Sequence, residues 1–218
     1  MSRVVVTGHQ VNFLPGCSVL AKVAEADHVI WMDAFQYERH GFVNRNRLEW
    51  PDGSWMTVPV NEADTFQPIN QVRIADNTGR IREKIARGLV MKLGALAEPY
   101  AAELRKPYKM LVALNWQLLQ LLIGQLGITT AHHFQSHLEA GEAHKVVPIV
   151  ADYEPALLPA RERLVAMVAE IGGNVWLSGP SGATYLDEKP FHDLGIAVEY
   201  FDWNGLPNPS AITMLKAT

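Results

Sequence analysis

The sequence predicts an α/β fold in which a mostly parallel, Rossmann-like sheet is flanked by helices, with a helical segment in the middle of the chain. Near both ends, short apolar runs rich in β-branched residues alternate with stretches of helical periodicity. This alternation is typical of parallel sheets whose strands are joined by helices. We therefore expect a single α/β domain over residues 1–218, with a helical insert or layer at approximately 78–127.

The composition is that of an ordinary globular protein, with 48% hydrophobic residues, 19% charged residues and a net charge of -4. This balance does not indicate general nucleic-acid binding, although a local basic segment can still contact phosphate. One cysteine, Cys17, excludes an internal disulfide and fits a reducing compartment. The N-terminal apolar run is too short for a signal peptide, and the amide side chains within 110–128 argue against a membrane span. We expect a cytoplasmic protein.

The first predicted strand leads into a polar turn. Three consecutive valines, residues 4–6, favour a buried strand, and Gly8 is expected to turn the backbone. In open α/β sheets, ligands bind just beyond the carboxyl ends of the strands, where this sequence places His9, Gln10 and Asn12. The sequence thus predicts a functional site here. The alternative is a turn whose side chains only cap the following helix.

A helix and a second strand follow. Residues 17–26 have helical spacing, with Lys22 on the predicted polar face. Residues 28–33 are expected to form a buried strand whose carboxyl end carries Asp33 and then Gln36. A right-handed crossover would bring this end close to the end of the first strand.

Residues 39–47 are rich in arginine. Arg45 and Arg47 are suited to bind a phosphate or carboxylate bidentately, while Asn44 and Asn46 are expected to fix the loop by side-chain to backbone bonds. The alternative is a solvated loop with scattered arginines.

A hairpin is predicted next, in which residues 47–50 pair with residues 54–60 around a turn at 51–53. Residues 71–75 are predicted to form another short strand.

Three helices are expected in the region 78–127. The third, 108–126, is apolar nearly all round and should be the central helix. Core packing is the expected role of its Asn115 and Trp116, and the alternative is that they reach the site.

A short strand is expected at residues 129–134, with four histidines in and after it. Neutral imidazoles are common zinc or iron ligands. The spacing matches no metal motif, and Glu139 and Glu142 lie at unhelpful offsets, so we expect a polar loop without a metal. The four histidines are His132, His133, His137 and His144.

The C-terminal part continues the alternation, with a helix expected over 159–172 and a strand over 174–177. The small and hydroxyl-bearing residues 178–182 follow. Their backbone N–H groups are suited to converge on an anion, and the alternative is a plain tight turn. A helix over 186–194 and a strand over 196–201 complete the prediction.

Six segments together resemble the WbqC-like protein family, in the same order along the chain. They are HQVNFLP (9–15), DAFQY (33–37), NRNR (44–47), WMTVPV (55–60), SGPSG (178–182) with YLD (185–187), and GIAVEYF (195–201). The resemblance covers nearly the whole chain and is weakest in the helical middle and over 130–159.

Three positions depart from the family pattern, which usually has Pro where Val11 stands, Trp where Gly16 stands and a second Asp where Ala34 stands. The missing carboxylate argues against a two-Asp metal site, and a requirement for Mg²⁺ stays open. The small Gly16 is expected to widen the pocket for a bulkier acceptor.

Members of this family are typically found among genes for surface-polysaccharide (O-antigen) biosynthesis. Similar proteins are suspected in bacteriophage pathways that join amino acids to hydroxymethylated pyrimidines in DNA. The resemblance implies a transferase that joins an amino acid such as glycine, through its amine, to an activated acceptor bearing phosphate or pyrophosphate. A hydroxymethyluracil-type base in phage DNA is one such acceptor.

In this transferase His9 or Asp33 would be catalytic and accept the proton of the attacking amine, because an ammonium group has no lone pair. The expected substrate-binding residues, which orient the acceptor or bind the departing anion, are Gln10, Asn12, Gln36, Asn44, Arg45, Asn46, Arg47, Ser178, Gly179, Ser181, Gly182 and Tyr185.

Two alternatives stay open. One is an enzyme that modifies a sugar or nucleotide sugar in polysaccharide assembly, and the other is a non-catalytic module that binds a phosphorylated ligand for a partner enzyme. A DNA acceptor would have to use the basic segments 39–47 and 73–87, because the chain as a whole is acidic.

Overall fold

The computed structural model describes residues 2–49, 53–141, 160–204 and 208–216. The chain groups into two compact units: unit 1 comprises residues 1–9, 22–34 and 130–204, and unit 2 comprises residues 10–21, 35–129 and 205–218. The single domain expected from the sequence stays a prediction.

The described residues contain seven strands and six α-helices, numbered along the chain. The strands are β1 (Val5–His9), β2 (His28–Trp31), β3 (Arg45–Arg47), β4 (Trp55–Thr57), β5 (Ala131–Phe134), β6 (Val175–Ser178) and β7 (Ala197–Tyr200). The helices are α1 (Cys17–Ala24), α2 (Gly79–Leu93), α3 (Glu98–Arg105), α4 (Leu111–Gln125), α5 (Ala160–Glu170) and α6 (Lys189–Asp193).

Unit 1 is built on a five-stranded parallel sheet with the order β5-β2-β1-β6-β7. This confirms the α/β fold with a parallel sheet that the sequence predicts. Val6, Ile30 and Trp176 on one face pack into a core with Val168 of α5 and Phe191 of α6. Because side chains alternate along a strand, the residues of β1 on either side of Val6 point to the opposite face.

Gly8 lies inside β1, opposite Ile30 of β2, so the turn predicted at this glycine is wrong. A Cβ atom at Gly8 would lie 2.4 Å from Met32 Cε and 2.8 Å from Trp176 Cη2. The glycine is needed because the side chains of Met32, just beyond β2, and of Trp176 in β6 cover it. β1 extends past it to His9.

The other elements of unit 1 follow the predictions with shorter bounds. The expected strands overlap β2, β5, β6 and β7, and the helix expected over 159–172 is α5, with residue 159 outside the described residues. The helix expected over 186–194 is reduced to α6, which ends before Gly195 in the left-handed conformation (φ 71°).

Unit 2 contains the three helices predicted for the middle of the chain, α2, α3 and α4. Asn115 of α4 is fully buried, and its Nδ2 donates to the carbonyl oxygens of Val11 and Val43, both at 2.7 Å. The core role expected for Asn115 is thereby confirmed.

The β3–β4 hairpin of unit 2 confirms the second predicted strand, because β4 lies within residues 54–60, but β3 ends at Arg47, where the sequence expected the first strand to begin. Arg45 and Arg47 lie in β3, opposite Thr57 and Trp55 of β4, whereas the sequence placed Arg45 in a loop before the hairpin. Residues 51 and 52 of the predicted turn lie outside the described residues.

The strand predicted at 71–75 is wrong. A short 3-10 helix, Ile69–Gln71, occupies its start, and only isolated backbone bridges follow, at Arg73 and Ile74. The N–H of Arg73 donates to the carboxylate of Asp64 at 2.9 Å and not to a neighbouring strand.

Within the described ranges, none of the helices has the length and hydropathy needed to cross a bilayer.

Candidate active site at the carboxyl edge of the sheet

The centre of the sheet in unit 1 contains a topological switch point. From β1 the chain moves outward through β2 to β5, and then returns to the other side of β1 to form β6 and β7. The carboxyl ends of strands beside such a switch point are the usual ligand site of an open α/β sheet. Here β1 ends at His9 and β6 ends at Ser178.

His9 is held at this edge by the backbone, since its carbonyl oxygen accepts a hydrogen bond from Met32 N at 2.8 Å. Burial, and secondarily the positive charge of Lys22, lowers the pKa of His9 to about 3. The imidazole is therefore neutral near pH 7. With so low a pKa it is a weak proton acceptor, and its chemistry is that of a hydrogen-bonding group.

Asp33 lies two residues beyond the end of β2 and is 3% exposed. Its carboxylate accepts two hydrogen bonds from Ser136, one from the backbone N at 3.0 Å and one from Oγ at 2.6 Å. Ser136 follows β5, the neighbour of β2 in the sheet. These two hydrogen bonds hold the carboxylate of Asp33 in a fixed orientation, and its role as a proton acceptor stays a prediction.

Lys22 also reaches this edge, although the sequence placed it on the polar face of a helix. It is only 6% exposed, and its Nζ donates to the carbonyl oxygen of Gly8 at 2.9 Å. Burial lowers the pKa of Lys22 to about 8. Neither Lys22 nor Ser136 was identified from sequence, because each depends on a contact between distant segments.

The small-residue corner after β6 forms a tight 3-10 turn, Pro180–Thr184. The N–H of Gly182 donates to the carbonyl of Gly179 at 2.9 Å, and a Cβ atom at Gly182 would lie 2.0 Å from Ser178 Oγ. These contacts favour the tight-turn interpretation of this corner. Anion binding by Ser178, Gly179, Ser181, Gly182 and the exposed Tyr185 stays a prediction.

The remaining predicted site residues lie in unit 2. Asn44 and Asn46 are buried, and their Nδ2 atoms donate to the carbonyl oxygens of Val58 (3.0 Å) and Leu14 (2.5 Å) respectively. Both amides thus fix backbone, as the sequence interpretation of the loop expects. Their contact with a substrate stays a prediction.

The other amides of the predicted site differ in exposure. Asn12 is 6% exposed and its N–H donates to the carbonyl of Gln10 at 2.9 Å. Gln36 is exposed and forms an isolated backbone bridge with Pro68.

Arg45 and Arg47 stack on the same tryptophan of the hairpin. Each guanidinium carbon lies 4.1 Å from the ring centroid of Trp55, and Phe42 contacts the same indole with 6.0 Å between centroids. Trp55 also lines a cleft of about 640 Å³ between the hairpin and α2, with Ile81, Lys84 and Lys92 among its walls. Sequence analysis identified the arginines but not this aromatic platform.

The histidines do not form a metal centre within the described residues. His28 Nδ1 and His133 Nε2 lie 3.2 Å apart, and His132 Nδ1 accepts from Trp31 Nε1 at 3.2 Å. His144 lies outside the described residues. No cluster of three or more metal-ligating side chains is found in the part of the chain that the structure describes.

Comparison with known proteins assigns the chain to a family. Residues 10–210 match the WbqC-like protein family. The chain belongs to the WbqC-like protein family. This WbqC-like protein is 27% identical over 208 residues to Uncharacterized protein Rv1507c of Mycobacterium tuberculosis (strain ATCC 25618 / H37Rv), covering 90% of this chain and 81% of that protein. No solved structure matches the chain.

In this WbqC-like protein the predicted site residues divide into two sets. His9, Asp33 and the corner at 178–182 lie at the carboxyl ends of strands of the sheet in unit 1, and the predicted arginine, asparagine and glutamine residues belong to unit 2. The family resemblance read from six segments is confirmed by the family match.

Proposed function

We propose that this WbqC-like protein is a transferase that joins the amine of a small amino acid, glycine first, to an activated acceptor bearing phosphate or pyrophosphate. The observation that carries the proposal is the buried carboxylate of Asp33, oriented by two hydrogen bonds at the carboxyl edge of a parallel sheet. A fixed carboxylate in this position attracts an incoming ammonium group and then accepts its proton.

The reaction balances without a redox partner. The amine nitrogen attacks the acceptor carbon that carries the phosphate, a C–N bond forms, and the C–O bond breaks as phosphate or pyrophosphate leaves with the electron pair. Asp33 accepts one proton of the ammonium group before the attack, which frees the nitrogen lone pair, and the product nitrogen leaves as a secondary ammonium group. His9, kept neutral by burial and by Lys22, serves as a hydrogen-bonding group and carries no charge of its own.

A phosphate-binding role for Arg45 and Arg47 is a separate proposal about unit 2. Stacking on Trp55 holds both planar groups in place, so less side-chain entropy is lost when they bind an oxyanion. Each cation–π contact stabilises the stacked conformation of its arginine by about 0.5–2 kcal/mol.

The arginine proposal is tested with pyrophosphate as the probe and Arg47→Lys as the variant. Lysine keeps the charge but not the planar, stacked donor pair, so we expect at least a tenfold loss of pyrophosphate affinity by calorimetry. Arg80→Lys, at an exposed arginine of α2, is the matched control and should bind as the wild type does. Equal affinity in Arg47→Lys would refute the assignment.

The reaction is tested with radiolabelled glycine and an oligonucleotide that carries 5-(pyrophosphoryloxymethyl)uracil. We expect label to enter the DNA and pyrophosphate to be released in equal amounts. Transfer that depends on nucleotide sugars would support the polysaccharide alternative, and binding of a phosphorylated ligand without turnover would support the binding module. With a DNA acceptor, affinity should fall steeply as salt rises.

A further inference from the structure

Lys22 is a buried cation that forms no ion pair with any residue in the described part of the chain. The residue is 6% exposed, and with the described residues its Nζ makes one hydrogen bond, to the carbonyl oxygen of Gly8 at 2.9 Å. None of the ion pairs among the described residues includes it. Burying a charge without a counter-charge destabilises a protein, so such a group indicates a function.

The position of the ammonium group is set by the sheet. β1 pairs with β6 only as far as Thr7, and the carbonyl of Gly8, one residue further along, accepts from Lys22. The charge is thereby held at the switch point, at the carboxyl end of the central strand. Burial, and secondarily the positive charge of Lys22, keeps the imidazole of His9 neutral, so His9 adds no second positive charge here.

We propose that Lys22 binds the oxyanion of a small ligand, a carboxylate or a phosphate, at the carboxyl end of β1. An ammonium group has three N–H donors, and the described residues accept one of them. An oxyanion would accept from the others and supply the missing negative charge. The pKa of about 8 agrees with this role, because most of the lysine is still protonated at pH 7.

The proposal of an oxyanion site at Lys22 does not depend on the proposed reaction. Its identification with the carboxylate of the amino acid rests on the proposed transferase function. In that case the amino acid is held by Lys22 through its carboxylate, and its amine is the group that Asp33 deprotonates.

The binding test uses four probes, acetate, glycine, inorganic phosphate and pyrophosphate, titrated calorimetrically into the full chain. We expect at least one probe to bind and Lys22→Met to lose at least tenfold in affinity for it. Binding of acetate or glycine identifies a carboxylate site, and binding of the other two identifies a phosphate site. Lys189→Met removes an exposed lysine of the same unit and should leave affinity unchanged.

Stability provides a second measurement. If Lys22 is kept for binding, Lys22→Met should be at least as stable as the wild type without ligand, because an uncompensated charge is replaced by an apolar chain of similar length. A structural lysine would give the opposite result. Lower stability of a folded Lys22→Met variant, with probe affinity unchanged, would overturn the inference.

A measurement on the unmodified protein covers the case in which Lys22→Met does not fold. In protein labelled with ¹³C at lysine Cε, the resonance with the depressed pKa reports Lys22, and that pKa should rise when a probe saturates the site. An unchanged pKa with every probe overturns the inference. Transfer activity that survives Lys22→Met overturns only the identification of the oxyanion with the amino acid's carboxylate, and oxyanion binding without transfer overturns only the proposed reaction.

Discussion

At the scale of single residues, Gly8 shows how a strand can require the absence of a side chain. A Cβ atom there would approach Met32 Cε to 2.4 Å and Trp176 Cη2 to 2.8 Å. Met32 is flexible, but the indole is packed on Phe191 with 6.1 Å between ring centroids. The space beside the Cα atom of Gly8 is therefore filled by these two side chains.

We expect Gly8→Ala to lower the free energy of unfolding by about 1–3 kcal/mol, because the two side chains must move out of a packed core. Chemical denaturation measures this change. Gly124→Ala is the matched control, since that glycine lies in α4 with no atom within 4 Å of an added Cβ. Alanine should stabilise the protein there by about 0.5–1 kcal/mol through helix propensity. Equal effects at the two positions would contradict the packing argument.

His9 makes stability depend on pH. Its pKa is lowered from 6.5 to about 3, so between these values the unfolded chain binds more protons than the folded one. The stability linked to His9 is fully present above pH 6.5 and is lost as the pH falls towards 3. The contribution of His9 changes the free energy of unfolding by at most about 1.4 kcal/mol per pH unit. In His9→Gln, the free energy of unfolding should depend less steeply on pH between pH 7 and pH 4, because the contribution of His9 is removed. An unchanged dependence on pH would refute the lowered pKa of His9.

The residue scale also shows where sequence analysis fails. The sequence identified His9 and Asp33 because both directly follow apolar strands. It placed Lys22 on a solvated face, because helical spacing does not reveal that a long side chain folds back to a strand carbonyl. Ser136 carried no signal either, since its two hydrogen bonds to Asp33 span 103 positions of sequence.

At the scale of elements, α4 forms hydrogen bonds to two loop segments of unit 2. The amide of Asn115 donates to backbone carbonyls at Val11 and Val43, which are 104 and 72 positions away in the sequence. The apolar helix was predictable from its composition. The two carbonyls that it satisfies were not, because neither lies near it in the sequence.

Asn115→Ala should destabilise the protein by about 2–4 kcal/mol, because two buried carbonyl groups lose their donor. Urea unfolding measures the change. Gln120→Ala, at an exposed position of the same helix, should stay within about 0.5 kcal/mol of the wild type. A cost for Asn115→Ala no larger than that of the control would show that the hydrogen bonds contribute little.

Elements with a clear apolar pattern were predicted well, and polar ones were not. The sequence located the strands of the parallel sheet and all three middle helices. It assigned Arg45 and Asn46 to a loop, because a strand of alternating arginine and asparagine has no hydrophobic face. The strand exists because Asn46 is buried, where its Nδ2 donates to Leu14 O and its Oδ1 accepts from Arg47 N.

At the scale of the whole molecule, neither compact unit is a continuous piece of chain. Each consists of three segments, and the chain passes from one unit to the other after residues 9, 21, 34, 129 and 204. Folding one unit therefore shortens the loops that the other unit must close. The entropic cost of closing those loops is then lower. This connectivity favours the single domain expected from the sequence.

We accordingly expect one cooperative unfolding transition in calorimetry, with the van't Hoff enthalpy equal to the calorimetric enthalpy. The comparison is made at several scan rates to confirm reversibility. Two resolved transitions would show that the units unfold separately and would replace the single-domain prediction.

Asp33, at the carboxyl edge of the sheet, is the residue that we propose accepts a proton from the amino-acid substrate. The most direct test is glycine-dependent release of pyrophosphate from the modified oligonucleotide, measured in a single turnover with Asp33→Asn beside Asp193→Asn, an exposed carboxylate of the same unit. We predict that Asp33→Asn slows release by about 10²–10⁴-fold while the control keeps the wild-type rate. Equal rates in a folded Asp33→Asn variant would contradict the account.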